Sequence, residues 1–142
     1  MRTPFAPLDR LRPAAPLMLR LALGVIFFWH GVDKFDTGIS NVEGAFDGWG
    51  VPVPGLAAPL TAVTEIIAGA MLIIGLATRL AASALAAVMV GSLLFVKLED
   101  GLLGAAELDL ALLAGLLALV VTGPGWLSVD EQVGLEPAPA RP

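Results

Sequence analysis

Apolar residues fall along the chain in four long blocks, about 17–35, 56–77, 80–98 and 103–122, divided by shorter stretches rich in Gly, Pro, Asp and Glu. A hydrocarbon core of ~30 Å needs roughly 20 helical residues to cross it, so each block meets or approaches the length of a membrane-spanning helix. The second block is the cleanest, with Glu65 as its sole charged residue. The first carries Arg20 and His30, and its span requires Arg20 to snorkel toward the interface. Basic residues ahead of an apolar stretch also describe a secretory signal. Here a charged patch follows instead of a small-residue cleavage site, so the block reads as a retained span.

The connections add detail. Between the first two blocks, Ile39, Val42, Phe46 and Trp49 recur at i, i+3, i+7 and i+10 with Ser40, Asn41, Glu43 and Asp47 between them. That spacing predicts a short amphipathic helix in the first external loop. Two placements suit it: flat on the interface with Trp49 at headgroup depth, or as a lid over a site in the bundle. The following G-W-G-V-P-V-P-G reads as a turn and an extended segment, with Pro59 in the first turn of the second span. Gly75 as a helix stop and Thr78 as an N-cap make the second and third spans a tight antiparallel hairpin. Its many Ala and Gly residues allow close helix approach in lipid. Prolines 4, 7, 13 and 16 make 1–16 an extended lead-in. Residues 17–128 then form one four-helix domain, and 129–142 form a tail whose final E-P-A-P-A-R-P is frayed.

Composition agrees with this picture. Hydrophobic residues make up 57% of the 142-residue chain and charged ones 15%, with a mean hydropathy of +0.86, against about half and a quarter in ordinary globular proteins. The expected fold is all-α: an integral four-helix bundle in the inner, cytoplasmic membrane. Arg2, Arg10, Arg12, Arg20, Arg79 and Arg141 fall on one side of the four spans, and Lys34 and Lys97 on the other. The positive-inside rule then makes both termini cytoplasmic. A net charge of −5 gives no electrostatic basis for binding nucleic acid. With no cysteine and a single histidine, thiol chemistry, iron–sulfur ligation and bis-His haem within one chain are excluded. A redox role must therefore use a partner, a diffusible cofactor such as a quinone, or a site shared between subunits.

Ionisable residues at membrane depth are costly enough to be read first as functional. At ~1.5 Å rise per residue, His30 lies roughly 6 to 8 Å below the outer end of the first span and Glu65 about 13 Å below that of the second. Lys97 and Glu107 face them from the outer ends of the third and fourth. His30, Asp33 and Lys34 share one helix face, and Thr61, Glu65 and Gly69 another, so adjacent first and second spans would let His30 approach Glu65. A carboxyl group at that depth stays ionised only beside a positive partner, and His30 or Lys97 could serve. Glu65 and His30 are the candidates for proton relay, with Lys34, Asp33, Trp49, Lys97 and Glu107 as binding candidates. The bland alternative is a polar clasp that orients the helices. No helix carries paired ligands at the Glu-x-x-His spacing of bundle di-metal sites, and no metal is expected.

The segments L-R-L-A-L-G-V-I-F-F-W-H-G-V-D-K-F, W-G-V-P-V-P, T-E-I-I-A-G-A-M-L-I-I-G-L-A-T-R-L-A-A and A-E-L-D-L-A-L-L-A-G-L-L-A-L-V-V-T-G-P-G-W-L-S-V-D resemble, in order and spacing, the DoxX family of small bacterial membrane proteins. The likeness spans about residues 19–130. It implies a four-span bundle related to the DoxD subunit of thiosulfate:quinone oxidoreductase and to the methylamine-utilisation protein MauE. For some members it also implies association with soluble redox-defence enzymes. His30, Lys34, Glu65, Arg79 and Glu107 match the family pattern, which adds Arg79 to the binding candidates. Lys97 departs from it, since many members carry histidine there and lysine does not exchange protons near neutral pH as histidine does.

The expected function is thus a membrane redox-accessory subunit that binds a quinone or small reduced substrate in the outer half of the bundle, with the electron-carrying group elsewhere. Its partners would be the lipid bilayer and other membrane or soluble redox subunits, or a second copy. A non-catalytic anchor or assembly factor is the alternative, and a small proton-coupled transporter a third reading.

Overall fold

Helix α1 (Ala14–Thr37) runs through the whole first apolar block. It starts earlier than the proline content suggested, because Pro16 sits in the first turn, where its missing N–H costs no hydrogen bond. The computed structural model describes residues 11, 14–97 and 105–136, apart from the side chains of Lys97 and Ala105. The rest of the Pro-rich lead-in, the acidic third connection and the terminal P-A-P-A-R-P lie outside the described residues.

Gly38 separates α1 from α2 (Ile39–Gly48) with a φ of 91° that only glycine adopts without strain. Helix α3 (Pro54–Ile74) takes Pro54, not Pro59, as its proline start, which leaves Pro59 inside the helix. Gly75 ends it in the left-handed region at φ 70°, the expected glycine C-cap. Helix α4 (Thr78–Ser92) continues into one wider π turn, Leu93–Lys97. Helix α5 (Ala105–Thr122) and the short α6 (Val129–Val133) complete the described chain, which contains no strand among the described residues. Three helical stretches are long and apolar enough to cross a membrane: Ala14–Thr37, Pro54–Ile74 and Thr78–Val96. Helix α5 packs beside them in the same bundle.

Leu23 and Phe27 of α1, Ala68 and Leu72 of α3, Leu85 and Met89 of α4, and Leu112, Leu116 and Leu119 of α5 form one core. Large apolar side chains such as Met18, Val25, Leu60, Ile67, Leu94 and Val121 point outward and stay exposed. In water so much exposed apolar surface would drive association; in a bilayer it is the lipid-facing surface.

The closest packing is between α1 and α3. A Cβ built on Gly24 would lie 2.8 Å from the Gly69 carbonyl oxygen, one on Gly31 2.7 Å from the Ala62 carbonyl oxygen, and one on Gly69 2.6 Å from the Phe28 nitrogen. Only hydrogen fits at these positions, so the two backbones touch along the seam. This is the route to stability left in lipid, where burying apolar side chains gains little over the acyl chains.

At the end of the bundle where α1 starts, a polar clamp closes the structure. Arg20 does not snorkel. Its side chain is buried, and its guanidinium donates to the carbonyls of Leu72 and Ile73 at the end of α3 (3.3 and 3.2 Å) and to those of Trp126 and Leu127 (2.9 and 2.6 Å). The Leu72 carbonyl also takes the Gly75 N–H of the C-cap at 3.2 Å, and Arg20 joins this helix end to the Trp126–Leu127 turn.

The N-cap of α4 likewise differs from expectation. Ala77, at φ 44°, occupies the cap position, and Thr78 offers no side-chain cap. The cap comes from across the bundle, since the buried Asp130 carboxylate accepts from the N–H groups of Ala77 (2.6 Å) and Thr78 (2.9 Å). Ser128 in turn caps α6 by accepting from the Glu131 N–H. The segment after α5 is therefore docked on the α3–α4 turn, through Asp130 and through Glu136, which accepts from the Arg79 N–H at 3.1 Å.

Three substitutions test the seam and the cap. Gly69→Val should lower the stability of the detergent-solubilised protein by about 1–3 kcal/mol through overpacking, seen as a lower thermal midpoint. Gly91→Ala, where an added Cβ meets no atom within 4 Å, should leave the midpoint unchanged or raise it. Asp130→Ala strips two buried N–H groups of their acceptor and should cost about 1–3 kcal/mol in the same measurement, with faster amide exchange confined to the start of α4.

Candidate functional site

At the other end of the bundle the helices enclose a cavity of about 830 Å³. The seam sets its first wall. Gly31 lets α1 lie against Ala62 and Ile66 of the antiparallel α3, so Glu65, buried at 1% exposure, is close to the level of that contact and Lys34, one turn beyond it on α1, reaches back to it. Lys34 Nζ donates to Glu65 Oε2 at 2.6 Å. The partner expected for Glu65 was His30 or Lys97, and the structure supplies Lys34 instead, with its stem along the α1–α3 groove and its ammonium facing inward.

His30 is exposed at the cavity rim and packs edge-on against Phe27, with ring centroids 6.2 Å apart. It lies one turn from Lys34, within electrostatic range of Glu65, without being its hydrogen-bond partner. Asp33 is also exposed and also lines the rim.

The opposite wall holds a second carboxylate, one of the two acids that open the fourth block and that the sequence places in the same half of the bundle as Glu65. Asp109 of α5 is 9% exposed and accepts a hydrogen bond from Ser92 Oγ at 2.5 Å. Of the two acids opening the fourth block, Glu107 was the candidate, yet Glu107 is exposed on α5 and does not line the cavity, whereas Asp109 does. Two residues separate them, which on a helix is about 200° of rotation. The available signal was Ser92, the one hydroxyl near the end of the third block.

Helix α2 is the roof. It packs on α3 and α1 and turns Val42, Ala45, Phe46 and Trp49 to the cavity, so the amphipathic helix of the first loop occupies the lid position. Trp49 is half exposed and packs on Phe46, with ring centroids 6.1 Å apart. The remaining walls are mostly apolar, with Ala57 and Leu60 of α3, Ala84 and Val88 of α4, and Phe95 and Val96 of the π turn, while Thr61 and Thr64 of α3 and Thr37 and Asn41 near the roof add hydroxyl and amide groups. Two polar pairs thus face a largely apolar chamber, the composition of a small-molecule site in which a few groups orient an otherwise hydrophobic ligand.

Arg79 lies outside this site. Its guanidinium donates to the Val120 carbonyl (3.0 Å) and pairs with Glu136 at 3.6 Å, about 20 Å from Ser92 by helical rise. It belongs with Arg20 and Asp130 to the clamp. The Lys97 side chain is outside the described residues.

With the bundle, roof and buried pair in view, comparison with known proteins is decisive for kinship. The DoxX family profile matches residues 15–98. The chain belongs to the DoxX family. Among its relatives, the protein named "Putative oxidoreductase CatD" of Bacillus subtilis (strain 168) is 36% identical over 115 residues, covering 80% of this chain and 83% of that protein. The protein named "Uncharacterized membrane protein Rv3486" of Mycobacterium tuberculosis (strain ATCC 25618 / H37Rv) is 34% identical over 134 residues, covering 85% and 82%. No solved structure matches the chain. The matched region of this DoxX protein includes α1 to α4, and so His30, Lys34, Glu65 and Ser92, but not Asp109.

The Lys34–Glu65 pair is testable through its partners. Lys34→Met leaves a carboxyl group in an apolar wall, and stability should fall by up to about 3–5 kcal/mol, the cost of breaking a buried pair from one side. The double variant Lys34→Met/Glu65→Met should recover most of that loss. Thermal unfolding of both variants in one detergent decides it, and additive losses would show that the two side chains do not form a pair.

Proposed function

We propose that this DoxX-family membrane protein is a redox-accessory subunit whose cavity receives a quinone. The observation that carries this reading is the pairing of two donor–acceptor sets, Lys34–Glu65 and Ser92–Asp109, in a largely apolar chamber of about 830 Å³. A quinone ring presents two oxygens that accept hydrogen bonds when oxidised and donate them when reduced. Lys34, with two N–H groups beyond the one on Glu65, can donate to the first form, and the Glu65 and Asp109 carboxylates, each with lone pairs left over, can accept from the second. The printed name of the Bacillus relative, an oxidoreductase, points the same way.

When bound, a quinone supplies the two-electron couple that a chain without cysteine and with a single histidine lacks. The protein's own share is protonic. Glu65, held by Lys34 at Oε2, takes up a proton at Oε1, and Lys34 stabilises the carboxylate again once that proton has left. His30 and Asp33, one turn along α1 and exposed, exchange that proton with solvent. Trp49 and Phe46 on the roof limit water access above the pair. Electrons pass to or from a partner subunit.

In this reading the cavity end faces outward. Lys34 and Lys97 then oppose Arg2, Arg10, Arg12, Arg79 and Arg141, and Arg20 drops out of the positive-inside count because its charge is spent within the bundle. Helix α5 becomes the fourth span, with both termini on the cytoplasmic side of the cell membrane.

A second reading has its own observation. Lys34 and Glu65 satisfy each other, as a purely structural clasp in a membrane anchor would. Ligand binding separates the two. In a Trp29→Phe/Trp126→Phe background, a tail-less benzoquinone should quench the remaining Trp49 fluorescence saturably, and Glu65→Gln should weaken binding at least tenfold. An absence of saturable quenching in a folded protein would favour the anchor.

A further inference from the structure

The cavity opens in two directions. One lies under α2, past Val42, Phe46 and Trp49, toward the aqueous side. The other lies on the flank of the bundle, between α3 and α4. These helices share the core at the Arg20 end, where Ala68 and Leu72 meet Ala81, Ala82 and Leu85. Farther along, α3 turns its buried face to α1, with Ala62 against Gly31 and Glu65 on Lys34. Across the resulting gap, Leu60 and Thr64 of α3 face Ala84, Ala87 and Gly91 of α4, all lining the same cavity.

The gap reaches the bundle surface. Leu60 is 60% exposed, Phe95 40%, and Ala87 is exposed. In a membrane protein these edges lie against acyl chains. The small α4 residues along the gap are not used for helix contact. Elsewhere in this bundle glycine marks backbones that touch, as at Gly24, Gly31 and Gly69, but an added Cβ on Gly91 would meet nothing within 4 Å. Small side chains at 84, 87 and 91 widen a channel that stays open. The lining grades from aliphatic at the lipid edge to Lys34, Glu65, Ser92 and Asp109 inside, and one continuous cavity contains both ends.

We propose that the gap between α3 and α4 is a lateral portal, through which a quinone with a long aliphatic tail enters from the bilayer and leaves its tail lying along Leu60, Ala87 and Gly91. This rests on the quinone reading of the cavity and sharpens it to a lipid-soluble substrate, excluding a water-soluble one delivered under α2. Bilayer access suits the chemistry. A tailed ring partitioned in the membrane is already among the acyl chains beside the gap, and crossing the aqueous side would expose its tail to water.

The experiment uses the full-length chain in lipid nanodiscs and a benzoquinone bearing a decyl tail that ends in a diazirine. After photolysis, peptide mapping should place the label on α3 near Leu60 and on α4 near Ala87 and Gly91. Gly91→Phe and Ala87→Phe, each filling the gap from a position without close packing, should cut this labelling at least tenfold. The tail-less ring should still quench Trp49 in both variants, which also shows that they are folded.

Label confined to α2, or α3–α4 label unchanged in both variants while the tail-less ring still quenches Trp49, would overturn the portal and leave the quinone cavity standing. Loss of both labelling and quenching in the unmodified chain would overturn the cavity reading and the portal with it.

Discussion

The backbone contact between α1 and α3 is the constraint on which the rest depends. In a bilayer the helices gain little by hiding leucines from one another, because the lipid is as apolar as they are. Close approach through Gly24, Gly31 and Gly69 supplies the dispersion contacts that hydrophobic burial cannot. It also fixes register. With Gly31 against Ala62 and Ile66, Glu65 lies close to the level of the contact, and Lys34, one turn beyond it, reaches back to give the buried carboxylate a cation at 2.6 Å. A shift of one residue along the seam would rotate both side chains by about 100° and separate them. The ion pair is therefore better read as a consequence of the seam than as its cause, since desolvating two charges offsets much of their attraction.

The same seam explains the shape of the cavity. Helix α3 has one buried face at this end of the bundle and commits it to α1, so it cannot also close against α4. The α3–α4 hairpin is tight where Arg20 and Asp130 hold its turn and open where α3 follows α1. Helix α2 then covers the top of the opening because Gly38 redirects the chain immediately after α1. Thus a short amphipathic helix whose spacing suited either an interface or a lid adopts the lid position, with Trp49 still exposed enough to meet headgroups. The two placements were never exclusive, since the roof of a cavity at one end of a membrane bundle is itself at the interface.

Much of this was legible in the residues. Block length and hydropathy located the long helices to within a few residues, because twenty apolar positions in a row have few alternatives. Glu65 stood out because nothing else charged interrupts its block. What the pattern could not carry was rotation. His30, Lys34 and Asp33 share a face by spacing, but which of them meets Glu65 depends on a glycine contact seven residues wide. Glu107 and Asp109 differ by two positions, and only the helix phase decides which of them turns inward. Trans-capping was equally invisible. Asp130 lies more than fifty residues from the N–H groups it serves, and Thr78 satisfied every local rule for a cap it does not form.

Arg20 shows why a local reading errs in this direction. Taken alone, an arginine eight residues from the nearest charged neighbour in an apolar run must reach for water, and snorkelling is the cheapest way. In the folded chain, helix α3 and the G-P-G-W loop each end with carbonyls that no ladder satisfies, and leaving them bare in a dry environment would cost more than burying one guanidinium. Planar and rich in donors, it bridges both at once in a way a lysine could not. The charge that looked like a defect in the first span is what lets the fourth long helix and its trailing segment close on the hairpin turn. The clamp holds that end fixed, and so leaves the freedom to open at the far end, where Glu65, Lys34 and Asp109 face the cavity.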